Sequence, residues 1–75
     1  MVLAKIDMYE YMVLPGVIQI SLDGTNDPIM VDILSEIDKS NGKIYADGDF
    51  YLFLGYDIYT EDTKSFMDLK VVQTN

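Results

Sequence analysis

The side chains with the most chemical potential in this sequence are carboxylates and tyrosine hydroxyls. Thirteen acids stand against five lysines in 75 residues, which gives a net charge of −8, and six residues are tyrosines. Carboxylates act as general acids and bases, bind hard cations, or present fixed negative charge to a partner. Each of these chemistries needs its own arrangement of residues, so the spacing decides among them.

Several residue types are absent, and their absence excludes whole classes of site. The sequence contains no Cys, His or Trp, and all five of its cationic residues are Lys. It therefore lacks a thiol nucleophile, an imidazole base and the usual ligands of zinc. Nucleic-acid binding needs a basic patch that displaces counterions, and binding to an anionic membrane needs clustered cations. We expect neither direct nucleic-acid binding nor membrane binding.

A calcium loop is the first chemistry to weigh, because ten of the thirteen acids are Asp. Asp23, Thr25 and Asp27 alternate like the first ligands of an EF-hand loop. The pattern then fails, since Pro28 stands where that loop needs Gly and Leu34 where it needs a bidentate Glu. The glycines are isolated, so no phosphate-binding loop is present either. We expect no metal site and no cofactor.

Catalysis by paired carboxylates needs at least one buried acid with a raised pKa. Glu10 and Asp57 interrupt apolar strand faces and are the acids most expected to be buried. A sheet with a single helix offers little depth for a catalytic cleft. We therefore expect a protein that is not an enzyme and has no catalytic residues.

The N-terminal elements follow from alternation of apolar and polar residues. Residues 2–14 alternate as a strand, with a bulge or kink expected where Glu10 breaks the apolar face. Pro15-Gly16 predicts a tight turn, and the next strand places Ile18, Ile20 and Leu22 on one face.

The next segment has the period of an amphipathic helix. Asp27 before Pro28 is typical of a helix N-cap, and Asn41-Gly42 of a helix end. The apolar positions between them recur at helical spacing: Ile29, Met30, Ile33, Leu34 and Ile37.

Three more strands follow the helix. Lys43 to Ala46 and Asp49 to Thr60 flank Asp47-Gly48, a strong hairpin signal. In the longer strand one face carries Phe50, Leu52, Leu54, Tyr56 and Ile58, and the other carries Tyr51, Phe53, Gly55, Asp57 and Tyr59. A loop at residues 61–63 leads to a last strand from Lys64 to Gln73.

The element order is therefore β-β-α-β-β-β. It predicts an α+β fold with two layers, an antiparallel sheet of about five strands and one helix packed on one face. We expect a single small acidic domain over residues 1–75, since no linker or repeat is visible. The N-terminus has no signal-peptide pattern and no apolar run is long enough for a membrane span, so we expect a cytoplasmic protein.

A tyrosine-rich sheet face is the strongest functional signal. If the helix covers the face with Ile18, Ile20, Leu52 and Leu54, one helix cannot also cover the opposite face. That opposite face would carry Tyr9, Tyr11, Tyr51, Phe53 and Tyr59. Tyr is frequent at binding hot spots because it joins a large apolar body to a polar tip. The alternative is that these tyrosines form cross-strand pairs that stabilise the sheet.

The leading hypothesis is a non-enzymatic acidic protein that docks on a basic nucleic-acid-binding or nuclease partner and blocks its site. Carboxylates on a rigid scaffold can occupy phosphate positions in such a site, and their charge speeds association. The expected partner-binding residues are Tyr9, Tyr11, Asp32, Glu36, Tyr51, Asp57, Tyr59, Glu61 and Asp62. Small size, acidity and a tyrosine-rich face resemble, in type and not in sequence, phage-encoded inhibitors of host defence enzymes that mimic DNA.

Two other hypotheses stay open. The tyrosine-rich faces of two or more copies could meet in a homodimer or higher homo-oligomer and enclose a small ligand. A carboxylate enzyme that uses a metal is the third hypothesis. A simpler explanation of the negative charge is that it keeps the protein in solution. Asp also favours turns, such as those at Asp23, Asp47 and Asp62.

Overall fold

The computed structural model describes residues 3–22 and 26–74. They form six strands and one helix in a two-layer α+β arrangement, which confirms the predicted class. The elements are β1 (Ala4–Lys5), β2 (Tyr11–Leu14), β3 (Val17–Leu22), α1 (Asn26–Lys39), β4 (Lys43–Ala46), β5 (Asp49–Glu61) and β6 (Lys64–Thr74).

The strands form one curled sheet in the order β1-β4-β5-β6-β3-β2. Among the described residues, four of the five strand pairings are antiparallel, and the two-residue β1 pairs in parallel with β4. The curl brings β2, at one edge, close to the turn between β4 and β5. The Asp47 amide in that turn donates to the Tyr11 hydroxyl oxygen over 3.1 Å.

The core lies between α1 and the concave side of the sheet. Ile18, Ile20 and Leu22 of β3 are buried as their alternation predicted, and Ile33 and Ile37 of α1 pack over them. Each buried aliphatic side chain contributes about 1.5–3 kcal/mol of transfer free energy. The helix begins at Asn26, one residue before the predicted cap Asp27, while Asp23 and Thr25 lie outside the described residues.

The single strand predicted over residues 2–14 is wrong in one respect: it is two strands at opposite edges of the sheet. Between them the chain turns, and the Tyr9 amide donates to the Ile6 carbonyl over 3.0 Å. The turn reverses the alternation, because Tyr11 then faces the core. One uninterrupted strand would place Met8, Met12 and Leu14 on the same buried face as Ala4 and Ile6, but these three side chains are exposed.

The predicted faces of β5 are also wrong, because a β-bulge interrupts the strand. Phe53 pairs with Val71 and Gly55 with Lys70, so Leu54 is the extra residue. An extra residue moves every later side chain to the other face. Before the bulge Tyr51 faces the helix and is only 7% exposed, whereas Leu52 lies on the opposite, open face.

Beyond the bulge the two faces of β5 exchange. Tyr56 and Ile58 point to the helix side, opposite the buried Leu69 and Met67 of β6, and Tyr59 points to the open face. The two-layer fold therefore does not present one continuous tyrosine-rich face.

Candidate docking surface

Tyr9 and Tyr11 lie beside acidic residues from three separate parts of the chain: the β1–β2 connection, α1 and the β4–β5 turn. The Tyr9 hydroxyl donates to the carboxylate of Asp32 on α1. The Tyr11 hydroxyl donates to the carboxylate of Asp7 over 2.7 Å and accepts the Asp47 amide. Both rings pack partly against the core, so the hydroxyls are held at fixed positions on the surface.

The local field at these hydroxyls is strongly negative. The hydrogen bond to Asp32, partial burial, and the charges of Asp32 and Glu36 raise the pKa of Tyr9 to about 12. The hydrogen bond to Asp7, partial burial and the charge of Asp7 raise the pKa of Tyr11 to about 12, although the Asp47 amide opposes this. A hydrogen bond donated to a carboxylate favours the protonated hydroxyl, and nearby negative charge adds to this effect, so each shift reports a carboxylate held against the hydroxyl.

We name this region the acidic surface and define it by the two tyrosines and the carboxylates around them. Its members are Asp7, Tyr9, Tyr11, Asp32, Glu36 and Asp47. The sequence singled out four of these six as binding residues. The sequence indicates only a turn role for Asp47, because no sequence spacing links it to Tyr11. The curl of the sheet brings the two residues together.

The other predicted binding residues do not join the acidic surface. Tyr51 is a core side chain, whose pKa is raised by burial and by the charges of Asp49 and Asp47. Glu61 ends β5 at the tip of the β5–β6 hairpin, and Asp62 follows in the turn.

Tyr59 and Asp57 lie on the open face, each with a partner. Gln19 Nε2 donates to the Tyr59 hydroxyl over 2.7 Å, and this hydroxyl donates to Asp68 over 3.2 Å. Asp57 forms an exposed ion pair with Lys70, with 3.1 Å between Oδ2 and Nζ. An exposed pair of this kind contributes at most about 1 kcal/mol.

The acids expected to be buried are on the surface. Glu10 is exposed, and the side chain of Asp57 retains 63% of its accessible area. Within residues 3–22 and 26–74, no three carboxylates lie close enough together to hold a metal ion. No helix in these two ranges is long and apolar enough to cross a membrane.

The open face carries an apolar patch where β4, β5 and β6 meet. Phe50, Leu52 and Val72 are 46%, 38% and 46% exposed, and Tyr45 packs on Phe50 with ring centroids 5.2 Å apart. On the helix side a shallow cleft of about 370 Å³ lies where the Pro15-Gly16 turn approaches Tyr51, and its lining side chains carry no charge.

Comparison with known proteins leaves the geometry as the basis for function: the chain matches no protein-family model, no curated protein and no solved structure.

Proposed function

We propose that this protein is a non-enzymatic inhibitor that docks its acidic surface on a basic nucleic-acid-binding or nuclease partner. Its carboxylates would occupy positions that nucleic-acid phosphates take in the partner, as a DNA mimic does. In this role a phage-encoded protein would act against a host defence enzyme inside the cytoplasm.

The observation that carries the proposal is the pair of tyrosine hydroxyls fixed to carboxylates. Tyr9 and Tyr11 hold Asp32 and Asp7 in defined places, and both hydroxyls have a pKa near 12, chiefly because each donates a hydrogen bond to its carboxylate. Fixed carboxylates give a charge pattern that a basic groove can match, whereas charges that serve only solubility need no fixed position.

The net charge of −8 supports the same proposal at longer range. Complementary charge steers a basic partner toward this surface and raises the association rate, and the effect weakens with salt. The tyrosine rings add apolar contact area beside the charges.

A pull-down from the native host's lysate tests the proposal, with the tagged protein as bait and washes of rising salt. We expect one basic nucleic-acid-binding protein to be retained, released by salt and displaced by added DNA. Bait that carries both Asp32→Asn and Glu36→Gln should no longer retain this protein. A matched control with Asp38→Asn and Asp62→Asn has the same net charge and should keep it. Recovery of the bait alone would contradict the proposal.

Self-association is a second candidate function, and the apolar patch on the open face favours it. Phe50 and Leu52 of β5 lie beside Val72 of β6, which pairs with Leu52. If two copies bury this patch, the Tm must rise with protein concentration. Leu52→Asp should abolish that rise, and a Tm independent of concentration in the unmodified protein would contradict this candidate.

A further inference from the structure

The second half of β5 is an unpaired sheet edge. Pairing with β4 ends at Leu52, followed by one bond of 2.8 Å from the Phe53 amide to the Gly42 carbonyl. Beyond that bond, residues 54–61 have a strand neighbour only on the β6 side, within the part of the chain that the structure describes.

The register shows which backbone groups point outward. Asp62-Thr63 is a two-residue turn closed by the Glu61–Lys64 pair, so Glu61, Tyr59 and Asp57 bond to β6. The Val71 amide, which bonds to Gly16 on the β3 side, fits the same alternation along β6. The N–H and C=O groups of Tyr56, Ile58 and Thr60 therefore point away from the sheet.

This edge lacks two of the features that usually prevent strand addition, Lys and Pro. Residues 54–61 contain neither Lys nor Pro, and they are rich in β-branched and aromatic residues. The bulge at Leu54 lies at one end, which leaves a regular stretch of seven residues from Gly55 to Glu61. A strand of this length is sufficient for recognition by β-augmentation.

The two faces beside this edge differ in chemistry. Tyr56 and Ile58, 45% and 43% exposed, lie on the helix side but are not covered. Asp57 and Glu61 lie on the other face, both exposed. An added strand would therefore meet apolar side chains on one face, and on the other face Glu61, Tyr59 and the Asp57 carboxylate that is paired with Lys70.

We infer that this edge of β5 binds an extended, basic segment of the partner protein as an added β-strand. The segment would carry Lys or Arg on the face of Asp57 and Glu61, and apolar residues on the face of Tyr56 and Ile58. Charge complementarity selects this occupant over a second copy, which would add eight further negative charges to the assembly. The basic character of the segment rests on the proposed function, whereas strand addition does not.

The test uses a synthetic ten-residue peptide in which lysine alternates with valine and threonine, and measures its Kd for the full chain. Two further peptides are methylated on one or the other alternating set of backbone amides. We expect one of them to bind about tenfold more weakly than the parent and the other to bind equally. If both methylated peptides bind like the parent, only charge attracts the peptide and strand addition is wrong.

A matched pair of protein variants tests the same edge by changing the protein instead of the peptide. Thr60→Pro removes an outward amide without breaking the β6 ladder, and Thr60→Ala keeps that amide. Both variants lose the Thr60–Ser65 hydroxyl contact of 3.2 Å. We expect Thr60→Pro to bind the parent peptide at least about tenfold more weakly than Thr60→Ala, with the circular dichroism of the two alike. Equal binding would overturn the inference.

The outcomes separate this inference from the proposed function. A peptide with serine in place of lysine that binds as tightly as the parent would support strand addition and count against a basic partner. The unmodified chain could instead self-associate, and Thr60→Pro could abolish this self-association. That result would show that the edge binds a second copy, and it would overturn the inference.

Discussion

At the residue scale, Tyr9 and Tyr11 hold carboxylates in place. The sequence predicted them only as aromatic anchors for a partner. Each ring packs on the core, and each hydroxyl donates to a carboxylate: Asp32 for Tyr9 and Asp7 for Tyr11. A tyrosine placed in this way is both an anchor for the local turn and a fixed point of the acidic surface.

The ionisation of these tyrosines gives the first prediction. Their pKa in the folded protein is near 12, above the ordinary value of 10, so the folded state holds the two protons more tightly than the unfolded chain. The resulting stabilisation is complete below pH 10 and is lost as the pH rises through 12. Urea denaturation should therefore show a free energy of unfolding that falls between pH 10 and 12.

An Asp32→Asn variant isolates the cause. We expect it to lower the pKa of Tyr9 and leave that of Tyr11 unchanged in a tyrosinate absorbance titration. Asp38→Asn, on another side of α1, is the control. If Asp32→Asn leaves the titration unaltered, the assignment of the field to Asp32 is wrong.

Tyr51 gives the second prediction, since its role is structural. Its side chain is buried beside Ile44, with which it pairs across β4 and β5. Tyr51→Ala should lower the free energy of unfolding by about 3 kcal/mol or more, as measured by urea denaturation. Tyr59 is half-buried on the open face, so Tyr59→Ala should lower the free energy of unfolding clearly less. Equal losses would contradict the placement of Tyr51 in the core.

At the element scale, the bulge in β5 determines which of its residues face the helix and which lie on the open face. It rotates the strand, so that Tyr51 and Phe53 face the helix while Tyr59 faces away. The unpaired half of β5 begins beside the bulge, because β4 starts at Lys43, opposite Leu52. One extra residue thus separates the half of β5 that pairs with both β4 and β6 from the half that pairs with β6 alone, within the described residues.

Two glycines in the β4–β5 region give the third prediction, with opposite signs. Gly48 has φ +81° in open space, so Gly48→Ala should cost about 1 kcal/mol through backbone strain alone. Gly55, at the bulge, has no left-handed φ and also has open space around its Cα. Gly55→Ala should be neutral or stabilise by up to about 1 kcal/mol. Thermal unfolding of both variants checks this, and a destabilised Gly55→Ala would contradict it.

At the scale of the whole molecule, charge acts against stability. The thirteen acids repel one another, and the five lysines neutralise only part of their charge on a chain of 75 residues. The exposed Asp57–Lys70 pair offsets little of this repulsion. The protein therefore tolerates self-repulsion, which a binding role for the charges would explain.

Salt dependence gives the fourth prediction. Screening weakens repulsion between exposed carboxylates, so the Tm should rise with added sodium chloride. The rise should be smaller in an Asp32→Asn, Glu36→Gln variant, which carries two fewer charges. A Tm that falls with salt in the unmodified protein would show that attractive ion pairs dominate instead.

The sequence predicted the layers of the molecule better than its faces. Ile18, Ile20 and Leu22 alternate without interruption, so β3 was predictable, and α1 was predictable from its helical period. The bulge at Leu54 was not, because both faces of β5 are apolar and alternation alone fits either register. The contact between Tyr11 and Asp47 depends on the curl of the sheet, which no local pattern encodes.

Displacement of DNA is the measurement that tests the central claim most directly. The basic protein recovered from the lysate would be bound to labelled duplex DNA and titrated with this protein. We predict that the unmodified chain displaces the DNA, that Asp32→Asn with Glu36→Gln weakens displacement by about tenfold, and that Asp38→Asn with Asp62→Asn does not. DNA that stays bound, or equal weakening by both pairs, would contradict a docking role for the acidic surface.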